Sequence, residues 1–440
     1  MFFTLLSFTI IIIHIFLCIK NLTYGCAFVL FIHQIFPAAF RIGGVSMNTA
    51  LVLILTIFVV VRNFNRLFLI PSKYTYPIKS FALPLLCLTI FAPLPFAMQF
   101  NAWFQFLVTE ILTSIFLLLS IKTEKDFKTI LYILLSSYII IGIYGIFTYI
   151  WHMNPLYDLF NTYYGAGISF TGDGEEQIRG GLSSFTSGNM SGPLPWGQCS
   201  LVILMSACFL PKGYRTGWIT NIVIILSIIN CLLCGKRSVI LPMLIVVSYY
   251  IFTRYLYIRK KGKAILCICF ILTTFTFLQR TEYIKNIETA IFFWNDNLAE
   301  KNQIGGSSTA MRLTQFEYAN DMISDNTLCG LGYNYIGYYS SRYGRHPIML
   351  GFESIYFQVI VQSGIIGLII WIAFFYRNYI MTNNSSMLKK DAIIMHGAYV
   401  LSLILTGIQS SIFIYLVVVA IMQKSKELYI SYQNNKKITI

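Results

Sequence analysis

Glu353 stands near the start of GFESIYFQVIVQSGIIGL (351–368), an otherwise apolar stretch of the kind that crosses membranes. A carboxylate is costly at an apolar helix end unless a partner faces it, and its short side chain cannot reach far toward headgroups. Read as a helix, Glu353, Phe357, Ile360, Gly364 and Gly367 share one face. The two glycines on it would let a neighbouring helix approach closely, so this face points into a bundle and not toward lipid. Three arginines are candidates to reach a pocket there: Arg179, Arg237 and Arg312. Guanidinium groups suit phosphates, and a partly desolvated carboxylate suits a general base. Lys236 and Arg237 lie in CGKRSVILP (234–242), between two apolar stretches with almost no loop. The plainer reading of that pair is an interfacial anchor whose side chains snorkel to headgroups. Tyr333 and Tyr335, like Tyr163, Tyr164, Tyr338 and Tyr339, could stack on a ring, although interfacial tyrosines commonly serve as belt anchors.

The elements that must position these groups are membrane helices. The chain has 440 residues, 57% of them hydrophobic and 11% charged, with a mean hydropathy of +0.69, far from soluble globular usage. Apolar stretches of the length that spans a bilayer recur near 2–19, 24–40, 47–61, 80–99, 103–121, 129–151, 194–210, 217–234, 238–253, 264–279, 353–376, 391–408 and 410–423. The expected fold is all-α, a polytopic bundle of about 12–13 spans with two long outer loops. The first stretch lacks a basic n-region and a small-residue cleavage site and is read as a helix, not a removable signal. The organisation is then N-terminal helices (1–151), a first outer loop (152–193), central helices (194–279), a large outer loop (280–352), and C-terminal helices with a tail (353–440).

A net charge of +15 would suit a nucleic-acid binder only if it formed one soluble patch. Sorted by loop, 22 of the 32 Lys and Arg fall on one side with four acids, a balance of +18, against −2 on the other, and Glu110 lies inside a span. That is the positive-inside signature; it places the basic face and the C-terminus in the cytoplasm and removes the argument for nucleic acid. Cys231 and Cys234 form a C-x-x-C inside an apolar helix, where packing is the better reading. The five histidines are scattered without ligand spacing, and no Gly-rich phosphate loop is present, so no metal or nucleotide cofactor is expected. Asp173, Glu175 and Glu176 in the first outer loop read as a solvated turn. In the second, Leu313, Phe316, Ala319 and Ile323 recur at helical spacing after a Ser308 cap, which predicts an amphipathic helix on the membrane face, with Arg312 at its start.

In this order the motifs resemble the bacterial O-antigen polymerase and O-antigen ligase superfamily of polytopic membrane glycosyltransferases. The resemblance runs over most of the chain and is clearest from Arg179 to about Phe375. It rests on RGGLSSF followed by SGPL, on GKRS at 235–238, on Arg312 followed by DNTLCGLG, and on a polar residue opening a helix with Gly after ten intervening positions, here Glu353 and Gly364. Ligase members typically carry His then Asn at that last position; this chain has Glu353-Ser354, and His346 is out of register, which leans toward the polymerase-like members.

The resemblance implies undecaprenyl-diphosphate-linked oligosaccharide as substrate, no cofactor, the lipid bilayer as surroundings, and a chain-length regulator and a flippase of the same pathway as partners. On that substrate the residues singled out above take their expected roles, Glu353, Arg312 and Arg237 as catalytic residues and Arg179, Lys236, Tyr333 and Tyr335 as substrate-binding residues. The product would be O-antigen, capsule or exopolysaccharide, made at the periplasmic face of a bacterial inner membrane. Two alternatives remain open: a ligase moving finished glycan onto a lipid A core or other acceptor, and a flippase of lipid-linked sugars. Flippases are usually built from repeated halves with charges along a central cavity. No repeat is visible here, and the polar mass lies in two outer loops.

Overall fold

The computed structural model describes residues 2–36, 40–42, 44–64, 70–151, 154–164, 193–210, 214, 217–256, 309–344, 346–349, 352, 354–383, 389–406 and 412–438. The chain is an all-α polytopic helix bundle whose only sheet among those residues is a two-residue hairpin, Arg41–Ile42 against Val45–Ser46. Among the described residues, five helices are long and apolar enough to cross a membrane: Phe3–Lys20, Phe96–Ser120, Glu124–Trp151, Arg237–Arg254 and Ile355–Asn383. Four shorter apolar helices accompany them: Leu22–Ile35, Met47–Asn63, Leu194–Phe209 and Trp218–Leu233. The expected span at 264–279 lies outside the described residues.

Two helices form the centre. Helix α10 (Pro193–Phe209) and the first part of α17 (Ile412–Ile438) are buried almost all round, from Leu201 to Leu210 and from Ile412 to Ile421. Helices of this composition have no polar face to turn outward, so other helices must surround them. Around α10 pack α11 (Trp218–Leu233), α12 (Arg237–Ile251) and α16 (Lys389–Thr406). A buried amide joins three helices. Asn230 accepts from the Trp196 indole N–H at 2.9 Å and donates to the Gly142 carbonyl at 3.2 Å, which satisfies groups that would otherwise be stranded in apolar surroundings. Cys231 and Cys234 are buried free thiols at the contact of α11 with Gly197, so the C-x-x-C is packing, as the sequence suggests.

Two ionic clusters tie distant helices together. Lys73 and Lys424 both hold Glu427, at 2.6 and 3.0 Å, and Tyr249 donates to Asp391 at 2.8 Å beside Arg254.

Three local expectations need correction. The stretch read as one span over 80–99 is a helix that begins earlier, runs through Ser72–Pro77, a π-helical turn at Ile78–Ala82 and Leu83–Leu88, and ends in a turn around Pro93 and Pro95. Proline lacks the N–H needed to continue and restricts the residue before it, so Phe96 starts a new helix. The amphipathic helix exists as α13 (Thr309–Met322), but its buried face is rotated. Gln315, Ala319 and Ile323 are covered, whereas Leu313 and Phe316 are exposed, because a polar group on the buried side, Gln315, finds the Ile348 carbonyl at 3.0 Å. The Ser308 cap lies outside the described residues. Third, Phe357 and Gly367 do not share one continuous helical face, because α15 (Ile355–Asn383) is broken at Gly364; Glu353 lies outside the described residues.

Candidate active site at a broken helix

Gly364 has φ 62° and ψ −161°, a conformation open essentially to glycine alone, and it interrupts α15 inside a candidate span. A break strands backbone groups that lipid cannot satisfy. Here the segment Thr327–Gly332 satisfies them. Leu331 and Gly332 donate their N–H groups to the carbonyls of Val361 and Gln362, at 2.8 and 3.0 Å. Beyond the break, Ile365 and Ile366 donate to the carbonyls of Thr327 and Leu328, at 3.0 and 3.2 Å. The approach is so close that a Cβ on Gly330 would lie 2.6 Å from the Gly364 nitrogen, and one on Gly364 would collide with the Leu328 carbonyl. What Gly364 admits is therefore a loop backbone, not a neighbouring helix as its sequence position suggests. The NTLCGLG segment and the glycine following Glu353 by ten intervening residues, separate in sequence, are two halves of one lock.

Side chains extend the lock. Gln99 is fully buried near the start of α6 (Phe96–Phe106) and accepts from the Tyr333 N–H at 2.8 Å. The Gln362 amide oxygen accepts from the Asn334 N–H at 2.7 Å, and Asn334 itself is left-handed at φ 72°. Asn326 donates to the Phe91 carbonyl at 3.1 Å. The loop from 323 to 335 is thereby fixed to both α6 and α15.

The residues before α15 form a second small core. Ala319 and Ile323 pack with Met349, Phe352, Phe357, Ile360 and Val361, which seats α13 on the start of α15. The backbone on each side of position 353 is pinned. Phe352 adopts φ 51°, rare for an aromatic residue, and donates to the Met349 carbonyl at 2.8 Å. Ser354 donates its hydroxyl to the Ile404 carbonyl of α16 at 2.7 Å and caps α15 by accepting from the Tyr356 N–H. His346 accepts at Nδ1 from the N–H groups of Ile348 and Met349, and burial among Tyr318, Tyr339 and Phe352 lowers its pKa.

Of the residues singled out from sequence, Arg237 opens α12 and Lys236 precedes it, both half-buried, after Gly235 turns the chain at φ 62°. This turn abuts the start of α10, where a Cβ on Gly197 would meet Cys234 and Val239. Arg312 occupies the first turn of α13. Tyr333 is buried on the wall of a cavity of about 470 Å³, with its ring 6.1 Å from that of Phe106. Tyr335 begins α14 (Tyr335–Tyr343), half-buried beside Tyr338 and Tyr339. Glu353 and Arg179 lie outside the described residues. Sequence reasoning missed Gln99, Gln362 and Asn334, and gave Glu110 no role. For Gln99, Gln362 and Glu110 the available signal was a polar residue inside an apolar stretch; Asn334, in the 280–352 loop, gave none.

Residues 222–372 match the family model Wzy_C, described as O-antigen ligase. No curated protein matches the chain.

Proposed function

We propose that this chain, which belongs to the O-antigen ligase and polymerase superfamily through residues 222–372 and is a multi-pass membrane glycosyltransferase-like enzyme, polymerises lipid-diphosphate-linked oligosaccharide repeat units. The observation that carries the reading is that the matched segment contains the GKRS turn, Arg312, the glycine lock and Glu353 in the order typical of the superfamily, with Glu where ligases typically have His. In the proposed reaction, Glu353 takes the proton from an acceptor hydroxyl as that oxygen bonds to the anomeric carbon of the donor sugar. The bond from that carbon to the diphosphate breaks, its electron pair leaves with the lipid diphosphate, and the configuration inverts. Arg237 and Arg312, with Arg179, neutralise the charge developing on the leaving group. Such a leaving group carries its own activation. The reaction is therefore suited to the periplasmic face of the inner membrane, where nucleotide sugars are absent, and it needs no cofactor.

Glu353→Gln keeps shape but cannot take the proton. Turnover should fall by about 10² to 10⁴ while membrane-inserted protein is unchanged. Product length and inserted protein are measured in the same sample, and wild-type chain lengths would remove the base role. Glu353→His is the companion: continued polymerisation would show that the position needs a base and not specifically a carboxylate.

The description of the matching family favours a second reading, a ligase. A deletion strain separates the two. Loss of a ligase leaves long chains on the lipid carrier, and loss of a polymerase leaves single repeat units.

A further inference from the structure

The cavity beside the lock contains chemistry that the proposed reaction does not use. It lies against α6, the π-helical turn Leu107–Leu112 that follows it, and the loop carrying Tyr333 and Asn334. Three backbone irregularities border it or touch its lining: that π turn, the break two residues after Gln362, and the start of α17, whose Phe413 N–H donates to Glu110 at 2.9 Å. Irregular backbone at membrane depth is tolerated where it is buried in protein or lines a wet cavity, and π turns are frequent at functional sites. The Glu110 carboxyl group accepts from the Phe413 N–H at the start of α17 and from the Thr109 hydroxyl at 3.2 Å. Two of its roughly four acceptor positions are thus occupied. Around it on the wall stand four side-chain amides, Asn101, Gln105, Asn334 and Gln362, of which Asn101 and Gln105 are exposed.

We infer that this cavity binds a sugar ring of the glycan, with Glu110 and the amides on its hydroxyl groups and the faces of Phe106 and Tyr333 against its apolar side. The inference rests on the reading of the chain as a glycosyltransferase and adds a glycan subsite to it. Among the described residues no Lys or Arg lines the cavity, so a diphosphate would find no compensating cation there. Amides both donate and accept, as does each sugar hydroxyl, and a carboxylate accepts from hydroxyls. A space of about 470 Å³ is of small-molecule size, whereas a coordinated ion fills far less.

The test uses the full chain in lipid nanodiscs and two calorimetric probes: an oligosaccharide released from the host's own surface polysaccharide, and a short-chain prenyl diphosphate. Asn101→Leu/Gln105→Leu changes exposed wall residues and leaves the Glu110 to Phe413 contact in place. It should weaken oligosaccharide binding at least tenfold, about 1.4 kcal/mol, and leave prenyl diphosphate binding unchanged. Arg237→Ala should do the reverse. If wild type fails to bind the oligosaccharide, or the double variant binds it as wild type does, the glycan subsite is wrong. If prenyl diphosphate does not bind, or Arg237→Ala leaves its binding intact, the proposed reaction fails instead, and the oligosaccharide arm still decides the cavity.

Discussion

Replacing Gly364 with Ala perturbs the lock at its closest point. At φ 62° and ψ −161° an alanine is strained by about 1–3 kcal/mol, and its Cβ overlaps the Leu328 carbonyl. The overlap is relieved only if the loop withdraws, and withdrawal gives up the four backbone hydrogen bonds made by Leu331, Gly332, Ile365 and Ile366. At about 1 kcal/mol net for each, more if the freed groups stay dry, the variant should lose roughly 4 kcal/mol or more from this region. Gly397 is the control, because nothing lies within 4 Å of a Cβ there and it sits in mid-helix. Gly397→Ala should be neutral or gain up to about 1 kcal/mol. Thermal unfolding of the purified proteins in detergent, with glycan length measured in cells, separates the two variants. Gly330→Ala combined with Gly364→Ala should cost less than the sum of the single changes, since both break the same contact. A Gly364→Ala protein as stable as the Gly397→Ala protein, with normal glycan lengths, would refute the lock.

If Arg237 and Arg312 hold a diphosphate as forks, Arg→Lys at either position should abolish chain growth nearly as completely as Arg→Ala, with Lys236→Ala mild; full activity in Arg312→Lys would reduce that residue to a point charge. Burial lowers the pKa of His346, so its neutral form is the folded one, and its contribution is complete above the ordinary value of about 6.5 and lost as pH falls below it. Wild type should therefore lose thermal stability between pH 7 and pH 5, and His346→Asn, which keeps an acceptor but cannot titrate, should lose less; equal loss in both would clear His346 of the effect.

The bundle was largely legible because apolar length is a direct signal, and most helix positions agree within a few residues. The departures have local causes. Prolines 93 and 95 ended one helix early, and a buried Gln315 turned α13 away from the face that Leu313 and Phe316 suggested. Gly364 was visible as a glycine in register with Glu353, but its purpose was not. Sequence spacing assumes a continuous helix, and nothing local to 353–376 says that a loop more than thirty residues upstream will supply hydrogen bonds to a break. The cavity was hidden for the same reason, since Glu110, Asn334 and Gln362 come from three distant segments. As single polar residues they gave no motif.

A lipid-linked glycan asks for two environments that conflict. Its diphosphate needs cations and its sugars need neutral donors and acceptors, and a carboxylate that helps the second harms the first. In this chain the two kinds of group come from different elements. The arginines stand at the first turns of α12 and α13, and the Glu110 carboxyl and the amides line a cavity that has no cation among the described residues. The lock bears on both. The same chain that leads from Arg312 along α13 enters the break at Gly364 and then delivers Tyr333 and Asn334 to the cavity wall. On the proposed reading, a loop that slipped from Gly364 would lose the glycan wall and shift the cationic helix in one event. A backbone conformation open to glycine alone is therefore better placed there than in either site alone, because on this reading one fixed contact sets the separation between a charged leaving group and a neutral sugar.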